Sequence, residues 1–191
     1  MSKIVKLKIY GPFTLPVTRG KVGGRSIEQI AMKTSLQQQF EEQYKGCKLN
    51  LKCGCYVFGM RTGGQGQIDG AIIPYYVGKA AAQPLMQEAA TADKCNKYTK
   101  VLQDHRGTPV LFLVAKGAKG HSNMNATTVD SIEELLIFYA ATKRNPRNLI
   151  NNHHVPDPKK FCVTGVDLLG KMQKAGFPGK EEKSFNKMLG I

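Results

Sequence analysis

The side chains in this sequence best placed for chemistry are phenols, lysines and carboxylates. Tyr56 lies in one apolar run, 53–60 (CGCYVFGM), and Tyr76 in another, 71–77 (AIIPYYV). A phenol can position a water or, beside a cation that draws off its proton, act as a general base. Lys94 and Lys97 are three residues apart and share one face of any helix that carries them. Glu133 and Glu134 precede the apolar Leu135-Leu136-Ile137. A carboxylate can hold Mg2+, which is bound by one or two carboxylates and keeps its other waters. Plainer assignments stand beside these: cross-strand packing for the tyrosines, a solvated basic face for the lysines, and solvated glutamates in a first helical turn.

Other candidates carry less. Cys47, Cys53 and Cys55 cluster, with His153 and His154 downstream, but no CxxC spacing or paired second set supports zinc. His105 and His121 are isolated. GGQGQ at 63–67 has the glycines of a phosphate loop but no GK[ST] after it.

The elements that must position these residues read as follows. Residues 3–9 alternate apolar and basic and predict a strand ended by Gly11-Pro12, and 11–25 read as loop. Residues 26–44 have Ile27, Ile30, Met32, Leu36 and Phe40 near helical spacing, with Ser26 as N-cap. The runs 53–60 and 71–77 flank a Gly-rich turn and predict a hairpin, with Pro74 marking an edge position or a bulge. Strict alternation points Tyr75 away from Tyr76, so one of that pair can serve a site. Residues 80–103 are helical in composition, firmest over 93–103; 109–115 read as a buried strand; and 116–128 read as a polar loop. The clearest helix is 131–144, stopped by Asn145-Pro146, with Ser131 and Glu134 spaced as a capping box. A short strand at 161–166 and a last helix at 180–189 complete the reading. The order is that of an α+β chain with a small, mostly antiparallel sheet and a central hairpin flanked by helices.

Charge narrows the function. Twenty-eight Lys and Arg against 14 Asp and Glu give a net charge of +14. The basic residues are spread along the chain, which implies a basic surface built by the fold and suited to a phosphate backbone. No apolar run approaches the ~18 residues of a membrane span, and the first residues lack the apolar stretch of a signal peptide. Five cysteines, an odd count, argue for a reducing compartment. These features predict a single cytoplasmic domain over 1–191 with nucleic acid as partner and no membrane.

Gly54-Cys55-Tyr56, opening one hairpin strand, and Tyr76-Val77-Gly78-Lys79, closing the other, resemble the paired tripeptides of the GIY-YIG nuclease superfamily. The resemblance spans about 53–152, with 1–50 and 160–191 as elaborations on either side. It implies a metal-dependent endonuclease that hydrolyses DNA with Mg2+ or Mn2+. Tyr56 and Tyr76 would face the phosphate from one side of the hairpin, opening toward the metal-holding glutamate. Glu133 has Leu136-Ile137 in the phase of the superfamily's glutamate and apolar pair, and Glu134 is the competitor. Asn151, with Asn148 as runner-up, would orient catalytic groups, Gly78 would admit substrate, and Lys79 would contact phosphate. Cys55 stands where the superfamily usually has Ile. Its usual arginine is missing: none occurs between Arg61 and Arg106. Lys97 is the first candidate to replace it as a catalytic clamp, with Lys94 and Arg106 next; all three are candidate nucleic-acid contacts.

Three functions follow. The first is a DNA endonuclease, with restriction or defence as the setting that fits one compact unit. The second is a basic nucleic-acid-binding module of the same fold that has lost cleavage, suggested by the missing arginine. The third is a basic component of a nucleoprotein assembly. One active site cuts one strand, so double-strand cleavage would imply a homodimer.

Overall fold

The computed structural model describes residues 7–19, 24–45, 53–63, 70–116, 124–143, 150 and 180–190. Leu7–Thr14 forms β1, which runs through Gly11-Pro12 instead of stopping there. Tyr10 pairs with Leu113 and Phe13 with Leu111, so two residues bulge opposite one. The bulge removes the expected conflict between Pro12 and a ladder, and the Gly11 N–H donates to Tyr44 Oη at 2.8 Å.

Thr18–Arg19 (β2) and Arg25–Ser26 (β3) make a small ribbon inside the expected loop. Ser26 is therefore a strand residue, and Glu28 occupies the N-cap of α1 (Gln29–Gln43) without a side-chain cap bond. Met32, Leu36 and Phe40, four apart, form the buried stripe of α1, whereas Ile30 is 81% exposed. Arg25, one of the basic residues spread along the chain, is used structurally. Its guanidinium donates to the carbonyls of Leu102, His105 and Gly107 at 2.7, 2.6 and 3.2 Å. Hydrogen bonds from a charged donor are worth about 1.5–3 kcal/mol. Arg25→Ala is expected to lower stability by about 2 kcal/mol or more, with Arg25→Lys restoring part of it, as read from urea-unfolding midpoints.

Gly54–Arg61 (β4) and Ile72–Ala80 (β5) form the hairpin. Two helices follow, α2 (Leu85–Ala89) and α3 (Ala92–Asp104), with Pro84 at the α2 N-cap. Thr108–Lys116 (β6) then inserts between β1 and β4. The four-stranded antiparallel sheet has the order β1-β6-β4-β5. The hairpin is thus not central: β4 is interior and β5 is an edge strand. β6 is covered on both faces, which explains its unbroken apolar run. Pro74 meets both expectations, lying on the edge strand beside a bulge between the Phe58–Tyr76 and Gly59–Pro74 pairs.

Helix α4 (Ala126–Lys143) begins five residues before the expected start. Asn125 supplies the cap, its Oδ1 accepting from the Thr128 N–H at 2.8 Å. Ser131 lies inside the helix and donates to the Thr127 carbonyl at 3.0 Å, so the expected capping box with Glu134 does not form. Lys180–Leu189 makes α5, matching the reading from sequence. One face of the sheet packs against α1, α2 and α3 through Phe13, Phe40, Tyr56, Phe58 and Tyr98. The other packs against α4 and α5 through Cys55, Val57, Phe112, Ile132 and Phe185. No helix among the described residues is long and apolar enough to cross a membrane. The readings at 145–149, 151–154 and 161–166, including Asn145, Asn148, Asn151, His153 and His154, lie outside the described residues, as does Cys47.

Candidate functional site

The two tyrosines come together on the helix α3 side of the sheet. Tyr56 and Tyr76 have ring centroids 6.1 Å apart, and Tyr76 lies 6.2 Å from Tyr98, which stacks on Phe58 at 4.3 Å. The bulge in β5 resets the alternation, so Tyr75 and Tyr76 bury against the same cluster instead of pointing apart. Tyr75 packs on the His105 ring at 4.6 Å, away from the motif.

Tyr56 is fully buried, and its hydroxyl makes no hydrogen bond of ordinary geometry, with Tyr76 the polar group beside it. Burial, then the neighbouring Tyr98 and Tyr76, pushes its phenol up, which is the wrong direction for a general base. Tyr56 also explains Gly78. A Cβ at Gly78 would collide with the tip of the Tyr56 ring, so the space over this glycine holds a side chain of the protein, not substrate. A Cβ at Gly54 would collide with the Val114 carbonyl oxygen and press on Leu85 at 3.0 Å. Both motif glycines are thus required by packing.

Lys94 and Lys97 reach the Tyr76 ring from α3, with Nζ 5.9 and 5.2 Å from its centroid. Both are compensated. Asp93 lies 2.9 Å from Lys94 and 3.0 Å from Lys97, and Glu88 lies 3.7 Å from Lys94. These two lysines depress the Asp93 carboxyl. For Lys94, burial works to lower the ammonium, but Asp93 and Tyr76 outweigh it and hold the group above its ordinary value. Arg106 is not brought to this cluster. It follows the far end of α3 at Asp104, about 10 Å along the helix axis from Lys97. There it lines a cavity of about 520 Å³ with Arg25, Asp104 and His105.

Glu133 stands on the other face. Lys79 pairs with Cys55 across the hairpin, and Cys55 is buried beneath α4 with its Sγ 3.5 Å from the Val129 carbonyl. From that face Lys79 Nζ reaches Glu133 Oε2 and Asp130 Oδ1, each at 3.0 Å. The expected arrangement, with both phenols opening toward Glu133, is therefore corrected. The sheet separates the tyrosine rings from the carboxylate, and what they share is the border of β5. Hydrogen bonds to Glu133 and Asp130 raise the Lys79 ammonium above its ordinary value. Burial, with Glu133 second, pushes the Cys55 thiol well up.

The donor set around Lys79 fits a divalent cation. Glu133 and Asp130 lie one helical turn apart, and their oxygens already converge on one positive charge. An oxygen pair of this kind suits Mg2+ or Mn2+. Among the described residues no group of three or more His, Cys, Asp or Glu side chains is so placed. Glu134 is exposed and outside the cluster.

Asp130, Glu88 and Asp93 are the site residues that sequence reasoning missed. Asp93 was detectable, four residues before Lys97 in a helical stretch. Asp130 precedes the helix start that Ser131 suggests, so the sequence does not place it on the helix face that carries Glu133. Compared with known proteins, the chain matches no family model, no curated protein and no solved structure.

Proposed function

We propose that this chain binds nucleic acid around the C-terminal half of β5 and the first turns of α3, and hydrolyses DNA phosphodiester bonds there with Mg2+ or Mn2+ at Glu133. The reading is carried by one observation: the border of β5 gathers a phenol flanked by two ammonium groups and, on its other side, a carboxylate pair converging on the Lys79 ammonium. Positions 76 and 79 are about 10 Å apart along an extended strand. A polynucleotide laid across that border passes both.

Within this reading Lys94 and Lys97 neutralise the phosphate by exchanging Asp93 for it. Tyr76, 7% exposed, holds a water or a phosphate oxygen. Glu133 holds the cation and Lys79 contacts the adjoining phosphate. A divalent cation there would supply a Lewis acid for the charge that develops on the phosphate Lys79 contacts, beside the one held at Tyr76. Tyr56 is a packing residue that seats Tyr76. One copy cuts one strand, so two copies would act together on a duplex.

A second reading, binding without cleavage, is favoured by a different observation. The Tyr56 hydroxyl is buried on the face opposite Glu133, and the lysines beside Tyr76 are ion-paired within the protein. Plasmid nicking with Mg2+ or Mn2+, alongside duplex binding across a salt series, separates the two. Binding is expected to weaken steeply with salt, as counterion release requires. Lys97→Ala is expected to weaken duplex binding and cleavage together, because Lys97 grips the phosphate at Tyr76 while the cation at Glu133 acts on the adjoining one. Steep salt dependence without nicking by either cation leaves binding alone as the function. Affinity that is flat with salt sinks both readings.

A further inference from the structure

Lys79 spends its charge on its own protein. It is the residue after Gly78 on the edge strand and its side chain is 41% exposed, yet its ammonium sits 3.0 Å from Asp130 and 3.0 Å from Glu133. Two carboxylates and one ammonium leave this spot with a net charge of −1, a poor neighbour for a phosphodiester. A divalent cation taken by the two carboxylates changes the sum to +1. It also takes over the oxygens that hold Lys79, whose flexible four-carbon stem then carries the ammonium outward from the strand border.

We infer that Lys79 is a cation-released phosphate anchor: divalent cation binding at Glu133 and Asp130 frees its ammonium for the nucleic-acid backbone, so that cation and nucleic acid bind cooperatively. This rests on the reading of Glu133 as a cation ligand. The coupling is reciprocal, so nucleic acid also tightens the hold on the cation. Its sign is distinctive. Divalent cations ordinarily compete with basic side chains for phosphates and weaken binding; here the local exchange runs the other way.

The test measures affinity for a short fluorescent duplex at constant ionic strength, in EDTA and in calcium chloride, for the wild-type chain, Lys79→Met and Asp130→Asn/Glu133→Gln. Mn2+ binding is followed in parallel by its electron spin resonance signal. Wild type is expected to tighten about fivefold or more in Ca2+, and Lys79→Met to reverse that into the ordinary weakening. Asp130→Asn/Glu133→Gln is expected to bind more tightly than wild type in EDTA and to gain nothing from Ca2+. Adding Lys79→Met to that double variant should remove its gain, which distinguishes a freed lysine from the mere loss of two negative charges. Wild type that binds Mn2+ but is weakened by Ca2+ overturns the coupling and leaves Glu133 as a cation ligand. A chain that takes up no Mn2+, alone or with duplex, overturns both.

Discussion

Glu133→Gln is expected to lower plasmid cleavage by orders of magnitude while duplex binding in EDTA stays at wild-type strength or rises. The amide keeps the shape of the side chain and removes the charge that would hold a cation. One of the two carboxylates that hold Lys79 at 3.0 Å is lost as well, so Asp130 remains as its partner and the net charge at the strand border rises from −1 to zero. That combination makes the substitution diagnostic, since a variant that merely unfolded would lose binding too. Glu134→Gln is the control, because Glu134 is exposed on the same helix and outside the cluster. Cleavage that survives Glu133→Gln would remove this carboxylate from the chemistry.

Gly54→Ala is expected to cost about 3 kcal/mol or more, at the upper end of what overpacking a core does. The obstruction is the backbone carbonyl of Val114 in β6, which cannot swing aside without breaking a ladder, and Leu85 closes the other side. Typical total stabilities are about 5–15 kcal/mol, so this single methyl should bring the urea midpoint down sharply. Gly78→Ala should cost less, because the group in its way is the tip of the Tyr56 ring. A Tyr56→Phe background should relieve that cost only in part, because the ring carbons Cζ and Cε2 stay in the way. Tyr56→Phe alone should leave stability unchanged or raise it by about 1 kcal/mol, since it removes a buried, poorly bonded hydroxyl. Loss of cleavage on Tyr56→Phe, with stability kept, would return this phenol to the chemistry.

The long periodic segments were legible in the residues alone. The hairpin, α3, β6 and α5 appear close to where alternation, helical spacing and Gly or Pro boundaries put them. What failed was local, and each failure has a cause. Gly11-Pro12 reads as a stop, but a bulge absorbs both residues and β1 continues to Thr14. Ser131 with Glu134 imitates a helix start, but Asn125 caps the helix earlier. The bulge at Tyr75 inverts a face assignment that a two-residue period cannot see. At the site, Tyr76, Lys94 and Lys97 lie on one face of the sheet and Lys79 turns to Glu133 on the other, because the face of Glu133 depends on how α4 crosses the sheet, and nothing in its own turn of helix encodes that. The ion pairs of Lys94 and Lys97 show the same limit. Sequence counted them as free positive charge, whereas Asp93 and Glu88 hold them in the folded chain.

The place of α5 bears on how the chain is made. Its Phe185, Met188 and Leu189 are buried, with Phe185 edge-on to Phe112 at 5.3 Å, and the helix touches β1, β5 and α4. Every element it covers precedes it in the chain, and residues 144–179 separate it from α4. The ribosome adds about 5–20 residues per second, so the strands emerge and pair seconds before this cover exists. During that interval the Phe112 side of the sheet has α4 but lacks its second helix. A chain stalled between the end of α4 and Lys180 would stay in that state, with apolar strand surface open to other nascent chains, and would be a substrate for chaperones and proteases in place of a finished fold.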